Sequence, residues 1–220
     1  MIDAVVFDMD GVIVDSEQVW DAARRDLAAE RGRPWPQAAT RDMMGMSSLE
    51  WPRYMHDEVG IPEPAEEIND EVVGRLLAIY RRELPLIEGA VDAVRRLAED
   101  FRLGLASSSN RPLIDVVLEL GGLTPLFEAT VSSEEVARGK PAPDVYVETL
   151  HRLGVAPDAA VAIEDSHNGI RSAKAAGMGV VAVPNPHFPP DEEALALADV
   201  VLDSVGGLTA GVVRAARIPA

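Results

Sequence analysis

From about Pro85 onward the chain alternates short apolar runs with stretches of helical periodicity. That rhythm limits the fold more than any other feature of the sequence. The spacing predicts a helix over 90–99 before a strand over 102–107. A helix over 113–120 then precedes a short strand near 129–131, and a helix over 143–153 precedes a strand over 160–164. A helix over 169–176, closed by Gly177, leads to a strand over 180–183. A last strand over 200–202 and a helix near 208–216 finish the chain. Parallel strands need a crossover of about a dozen residues, usually a helix, so repeated units of this kind build a doubly wound parallel α/β sheet. The run Ala4-Val5-Val6-Phe7 reads as one more buried strand of the same sheet. A loop over 184–190 contains four prolines and reads as a rigid surface connection.

Residues 15–84 differ in texture and are expected to form a small helical domain inserted into a core made of 1–14 and 85–220. Asp15 and Ser16 are N-cap candidates, with Gln18 completing a loose capping box. Trp20, Ala23 and Leu27 recur at helical spacing until Gly32, and Ile68, Val72, Leu76 and Ile79 form a second periodic stretch. Between them, Met43, Met44, Gly45, Met46 and Trp51 are apolar but interrupted by Gly and Pro.

The chain has 220 residues, no cysteine and a formal net charge of −17. The absence of cysteine excludes disulfides, thiolate zinc sites and a Cys nucleophile. The negative charge argues against nucleic acid as a partner. Asp3, Asp8 and Asp10 interrupt the N-terminal apolar run, which argues against a secretory signal, and no apolar run is long enough to span a membrane. A cytoplasmic location is therefore expected. For a phosphate substrate, the global field would have to be overcome locally, by a metal ion and a few placed cations.

The polar residues that the core does not require fall at strand ends. Asp8-Met9-Asp10-Gly11 follows the first strand, at the edge where open α/β sheets bind ligands. One Asp there can act as nucleophile or metal ligand while the other handles protons. Ser107-Ser108-Ser109-Asn110 ends the strand over 102–107, where small hydroxyls and free backbone N–H groups suit an anion; Asn110 is the expected helix cap. Lys140 lies between Gly139 and Pro141, a restrained setting for holding a phosphate oxygen. Glu164 and Asp165 end a further strand, and adjacent carboxylates repel unless a cation joins them. With Asp8 they form an oxygen-rich set that suits Mg²⁺ rather than zinc. Ser166 and Asn168 are cap candidates for the helix that follows.

The ordered set Asp8-Met9-Asp10-Gly11-Val12, Ser107, Lys140-Pro141 and Glu164-Asp165-Ser166 with Asn168-Gly169 resembles the haloacid dehalogenase-like superfamily over essentially the full length. Within it the chain is most similar to the β-phosphoglucomutase-like subfamily, which includes sugar-phosphate phosphatases. The helical insert looks like that family's cap, with Asp15-Ser16-Glu17 at its start. The resemblance implies a Mg²⁺-dependent phosphatase acting on a small phosphorylated metabolite through an aspartyl-phosphate. Asp8 would be the nucleophile and Asp10 the acid and base. Ser107, Ser108 and Lys140 would bind the phosphoryl group. Asp8, Asp10 (through its backbone carbonyl), Asp165 and the nearby Glu164 would make the metal site. Asp144 would orient Lys140. A monomer is expected, with linkers near 14–16 and 84–88 as hinges.

The cap must separate phosphatase from mutase. At the position where the resemblance places a proton-relaying His stands Trp20, and where it places a phosphate-gripping Arg stand Ser47 and Ser48. Trp20 cannot relay a proton and Ser carries no charge for a second phosphate, so hydrolysis is the expected reaction. A sugar phosphomutase is the alternative, with Arg53 or another cap cation as the missing charge. Trp20, Gly45, Ser47 and Ser48 are the candidate substrate-facing cap residues. The non-enzyme alternative is a receiver-type domain phosphorylated on Asp, against which the helical insert and the Asp8-x-Asp10 spacing argue. Among the histidines only His167 falls near the site; His56, His151 and His187 have no partners at ligand spacing.

Overall fold

The computed structural model describes residues 1–43, 46–186 and 189–216. The chain opens with β1 (Ala4–Phe7) and then runs through four helices, α1 (Glu17–Glu30), α2 (Ala39–Asp42), α3 (Trp51–Asp57) and α4 (Ala65–Arg82). The alternating part follows with α5 (Ala90–Ala98), β2 (Arg102–Ser107), α6 (Arg111–Leu120), β3 (Phe127–Ser132), α7 (Asp144–Leu153) and β4 (Ala160–Glu164). It closes with α8 (His167–Ala175), β5 (Gly179–Ala182), α9 (Glu192–Leu195), β6 (Val200–Val201) and α10 (Ala210–Ala215). The sheet order is β3-β2-β1-β4-β5-β6, and every pairing is parallel. The chain therefore winds outward from β1 in both directions, which puts the ligand crevice at the carboxyl end of β1 and its neighbours.

Side-chain alternation divides the sheet into two unlike faces. Val5, Phe7, Leu103, Leu105, Val161, Ile163 and Val181 point to one cluster, packed by Val94 and Leu97 of α5, Leu113 and Val117 of α6 and Val213 of α10. Ala4, Val6, Ala106, Ala160, Ala162 and Ala182 point to the other, under Val145 and Leu150 of α7 and Ile170 and Ala173 of α8. The larger residues fill space on the first face, while the alanines of the second let their helices approach closely.

The helices between β1 and α5 attach through two neighbouring strands of backbone. Val14 forms bridges with both Asp10 and Leu86, Asp15 donates its N–H to Pro85, and Ile87 donates to Ile13. Trp20, Leu27, Trp51, Ile68 and Leu76 join the same apolar cluster as the first sheet face. Two of these helices, α2 and α3, and the short α9 carry too few apolar repeats to be visible as periodicity. The capping box expected at Asp15 and Gln18 does not form. Ser16 occupies the N-cap with helical backbone angles (φ −96°, ψ −18°) and makes no side-chain cap; its hydroxyl turns to Asp10 instead.

Candidate active site

Three adjacent central strands, β2, β1 and β4, end at one place. Phe7 is in register with Leu105 on one side and Ile163 on the other. The next residues, Asp8, Ala106 and Glu164, therefore converge. Asp8 continues the ladder by donating its N–H to Ile163 at 2.9 Å. Gly11 then turns the chain at φ +77°, a region open to glycine. A Cβ there would lie 1.9 Å from Asp165 Oδ2.

Lys140 reaches this point from the loop before α7, and its peptide to Pro141 is cis. Its Nζ donates to Asp8 Oδ1 at 2.8 Å, Glu164 Oε1 at 2.6 Å and the Ala106 carbonyl at 3.1 Å. Three protons meet three acceptors. Glu164 is fully buried, and both its oxygens are engaged. Oε1 also accepts from Tyr146 OH at 2.7 Å, and Oε2 accepts from Asp165 N, Ser166 N and Ser166 Oγ. Ser166 caps α8 as anticipated, accepting from Gly169 N at 3.1 Å.

Asp10 is turned away from this cluster. Ser16 Oγ donates to its Oδ1 and Ser109 Oγ to its Oδ2 at 2.6 Å, with Ser107 Oγ at 3.5 Å. Ser107 is fully buried and its Oγ also accepts from Ser109 N. Ser109, at the end of the hydroxyl run, thus makes the shorter contact with Asp10.

Two expected local roles go to other residues. Asn110 does not cap α6 with its side chain. Glu134 takes that role, accepting from Arg111 N at 2.7 Å while Asn110 Nδ2 donates to it at 2.8 Å. Asp144 does not orient Lys140, because it pairs with Arg138 at 2.8 Å while Lys140 points inward to the carboxylates.

Asp8, Glu164 and Asp165 each offer an oxygen, and these lie within 4.8 Å of one another in a buried space. Among the described residues, the cation paired with them is the Lys140 ammonium, which bonds Asp8 and Glu164. Burial pushes the Asp8 carboxyl up to about 8, with Glu164 and Asp10 adding to the rise and Lys140 opposing it. Burial also raises Asp165 well above the carboxylate range, helped by Glu164 and Asp8. Burial opposes the charge on Lys140, but Asp8 and Glu164 outweigh it and hold the ammonium above its usual range. Three carboxylates around one ammonium leave negative charge uncompensated. An all-oxygen donor set with that deficit suits a hard divalent cation such as Mg²⁺.

A cleft of about 60 Å³ opens beside Asp10. Ser108 and Ser109 line it from the sheet side, and Glu17, Trp20, Arg24, Met43, Met46 and Trp51 line it from the segment between β1 and α5. Trp20 is buried and packs edge-to-face on Trp51 at 5.5 Å. Ser47 and Ser48 are not part of this lining. Ser47 bonds Glu50 through both its N–H and its hydroxyl, and Ser48 Oγ lies 3.3 Å from Ser133 Oγ. Gly45 and His187 lie outside the described residues. Arg53 is exposed and lines a different groove. Among the described residues, the cation that lines this cleft beside Asp10 is Arg24 of α1. It is not among the residues singled out from sequence; the signal it carries is that Glu17, Trp20 and Arg24 fall at i, i+3 and i+7 on one face of α1.

Residues 2–177 match the family model of haloacid dehalogenase-like hydrolases. The chain is 36% identical over 213 residues to hexitol phosphatase B of Escherichia coli (strain K12), covering 94% of each. It is 31% identical to a phosphorylated carbohydrates phosphatase of Thermotoga maritima, covering 80% of this chain and 82% of that one. Among solved structures, a mutant of CbbY from Rhodobacter sphaeroides in complex with xylulose-(1,5)bisphosphate superposes with a TM-score of 0.83. That protein is 29% identical, with 94% of this chain and 96% of the other covered.

Proposed function

The chain belongs to the haloacid dehalogenase-like hydrolases, and we propose that it is a Mg²⁺-dependent phosphatase of small sugar or polyol phosphate monoesters. The observation that carries this reading is the joining of Asp8, Lys140, Glu164 and Asp165 at the end of β1, with Asp10 beside them at the mouth of a cleft. Relatives named as phosphatases of hexitols and of phosphorylated carbohydrates support the substrate class.

In this reading an oxygen of Asp8 attacks phosphorus, the ester P–O bond breaks, and Asp10 gives its proton to the leaving alkoxide. Asp10 then takes a proton from water, which attacks the aspartyl-phosphate; the bond to Asp8 breaks and inorganic phosphate leaves. Ser16 and Ser109 fix the Asp10 carboxyl for both transfers. Lys140, with Ser107 and Ser108, binds phosphoryl oxygens, for which Lys140 exchanges one of its present acceptors. Asp8, Asp165 and the Asp10 carbonyl would hold Mg²⁺, with Glu164 close by; the ion supplies charge that offsets the phosphoryl oxygens against Asp8.

We assign residues 15–84 as a cap over the core formed by 1–14 and 85–220, acting as a monomer in the cytoplasm. Support for the cap comes from the cleft, which takes lining from both parts, and from the paired linkers at Val14 and Leu86. No helix among the described residues is long and apolar enough to cross a membrane. A mutase is disfavoured because Trp20 lines the cleft and cannot relay a proton.

The test is phosphate release from a panel of hexose, hexitol, pentose, glycerol and nucleoside monophosphates, with and without Mg²⁺, and with Asp8→Asn as control. Repeated turnover that needs the metal and vanishes in Asp8→Asn is expected. Conversion of β-glucose 1-phosphate to glucose 6-phosphate without free phosphate would replace the reading with a mutase.

A further inference from the structure

We infer that Arg24 selects the ester: its guanidinium receives hydroxyl groups of the sugar or polyol whose phosphoryl group meets Asp8. The inference deepens the phosphatase reading and rests on it. Arg24 is only 8% exposed. Its guanidinium carbon sits 4.6 Å from the ring centroid of Trp20 and 4.8 Å from that of Trp51. Its Nε is buried and has no hydrogen-bond partner, and the residue makes no ion pair among the described residues. Cation–π contact with two indoles offsets part of the cost of burying that charge. It leaves the hydrogen-bonding demand of the buried Nε–H unmet. The residue lines the same cleft as Asp10 and Ser108, so a bound substrate can meet that demand.

The surroundings decide what kind of group binds. The other charged residues lining the cleft are Asp10 and Glu17. Two carboxylates beside one guanidinium disfavour a second anionic group on the substrate. A hydroxyl, by contrast, donates and accepts at once. It can accept from Arg24 while donating to Glu17, and the indoles offer apolar faces to the carbon skeleton. Burial pushes Glu17 up to about 7 and Arg24 down to about 10, which fits a cleft poor in water.

The test compares Arg24→Met and Arg24→Lys with the wild type. One arm measures kcat/KM on a hexitol monophosphate and on p-nitrophenyl phosphate, which has no hydroxyls. The other measures calorimetric Kd for the hexitol phosphate in an Asp8→Asn background, where binding needs no turnover. For Arg24→Met we expect the hexitol phosphate to lose about 10- to 100-fold more than the aryl ester, mainly through KM. The calorimetric Kd should weaken to a similar degree, and Arg24→Lys should recover part of both. Equal losses on both esters with an unchanged Kd would overturn the inference and leave Arg24 a packing residue. So would a wild-type preference for bisphosphates that Arg24→Met abolishes, since that marks an anion site. If the wild type hydrolyses no ester, the phosphatase reading fails, while the calorimetric arm still decides whether Arg24 holds the polyol. Arg24→Lys carries the comparison if Arg24→Met does not fold.

Discussion

Lys140 Nζ lies 2.8 Å from Asp8 Oδ1, and both side chains are buried. The same ammonium also pairs with Glu164. Lys140 is therefore a structural counter-charge, in addition to the phosphate-binding role proposed for it. Arg would not fit the role, since its flat fork cannot converge three donors on acceptors grouped around one point. Lys140→Met should abolish turnover and also destabilise the fold by about 3–5 kcal/mol, the usual cost of stranding buried charge. Urea unfolding at neutral pH measures this. An unchanged midpoint would show that the ammonium contributes nothing to holding the carboxylates together.

The charge deficit at Asp8, Glu164 and Asp165 predicts linkage between divalent cations and stability. Adding Mg²⁺ should raise the melting temperature, and EDTA should reverse the rise. At a concentration 100 times Kd, one site contributes about 2.7 kcal/mol. In Asp165→Asn the rise should largely disappear, because Asp165 is the carboxylate not already committed to Lys140. NaCl at matched ionic strength controls for screening. A full Mg²⁺ response in Asp165→Asn would move the ion elsewhere.

Gly169 is needed for close approach rather than for its backbone angles. A Cβ there would lie 1.8 Å from Glu164 Oε1. The Glu164 carboxylate cannot step aside, because Lys140, Tyr146, Asp165 and Ser166 all donate to it. Alanine would favour α8 by about 1 kcal/mol over glycine on helix propensity alone. The clash should win. Gly169→Ala is expected to lose about 2–4 kcal/mol of stability and to slow turnover at least about tenfold. A variant as stable and active as the wild type would mean that the site tolerates displacement of Glu164.

These residues also mark how far the sequence could be read. The sheet was legible because β1, β4 and β5, and β2 beyond Arg102, are short runs buried on both faces, and the strands over 102–107 and 160–164 match their predicted bounds. Asp8, Lys140 and Glu164 were legible as candidates because strand ends need no charge for packing. Their joining by one ammonium depends on β2, β1 and β4 being neighbours, which is a property of strand order. Side-chain direction was the weak point. The sequence points Ser47 and Ser48 to substrate, but Ser47 bonds the nearby Glu50 and Ser48 meets Ser133, which follows β3. Arg24 was passed over because a lone Arg on a helix reads as solvated, and only the two indoles around it turn it inward.

Glu17 supplies a pH signature of the cleft. Burial, then the nearby Asp10, pushes its carboxyl from an ordinary 4.5 up to about 7, against the pull of Arg24. The folded state thus binds this proton more tightly than the unfolded chain. Stability from that proton is complete below the unfolded value and is lost as pH rises through the folded one. Glu17→Gln keeps the shape and never ionises. The difference in unfolding free energy, Glu17→Gln minus wild type, should therefore climb between about pH 5 and about pH 7 and then level off. Taking the difference cancels the titrating groups remote from Glu17, which both proteins share. Urea unfolding from about pH 5.5 to about pH 8 covers most of the window while staying clear of acid unfolding. A difference that stays flat across that range would place the half-buried Glu17 carboxylate in water.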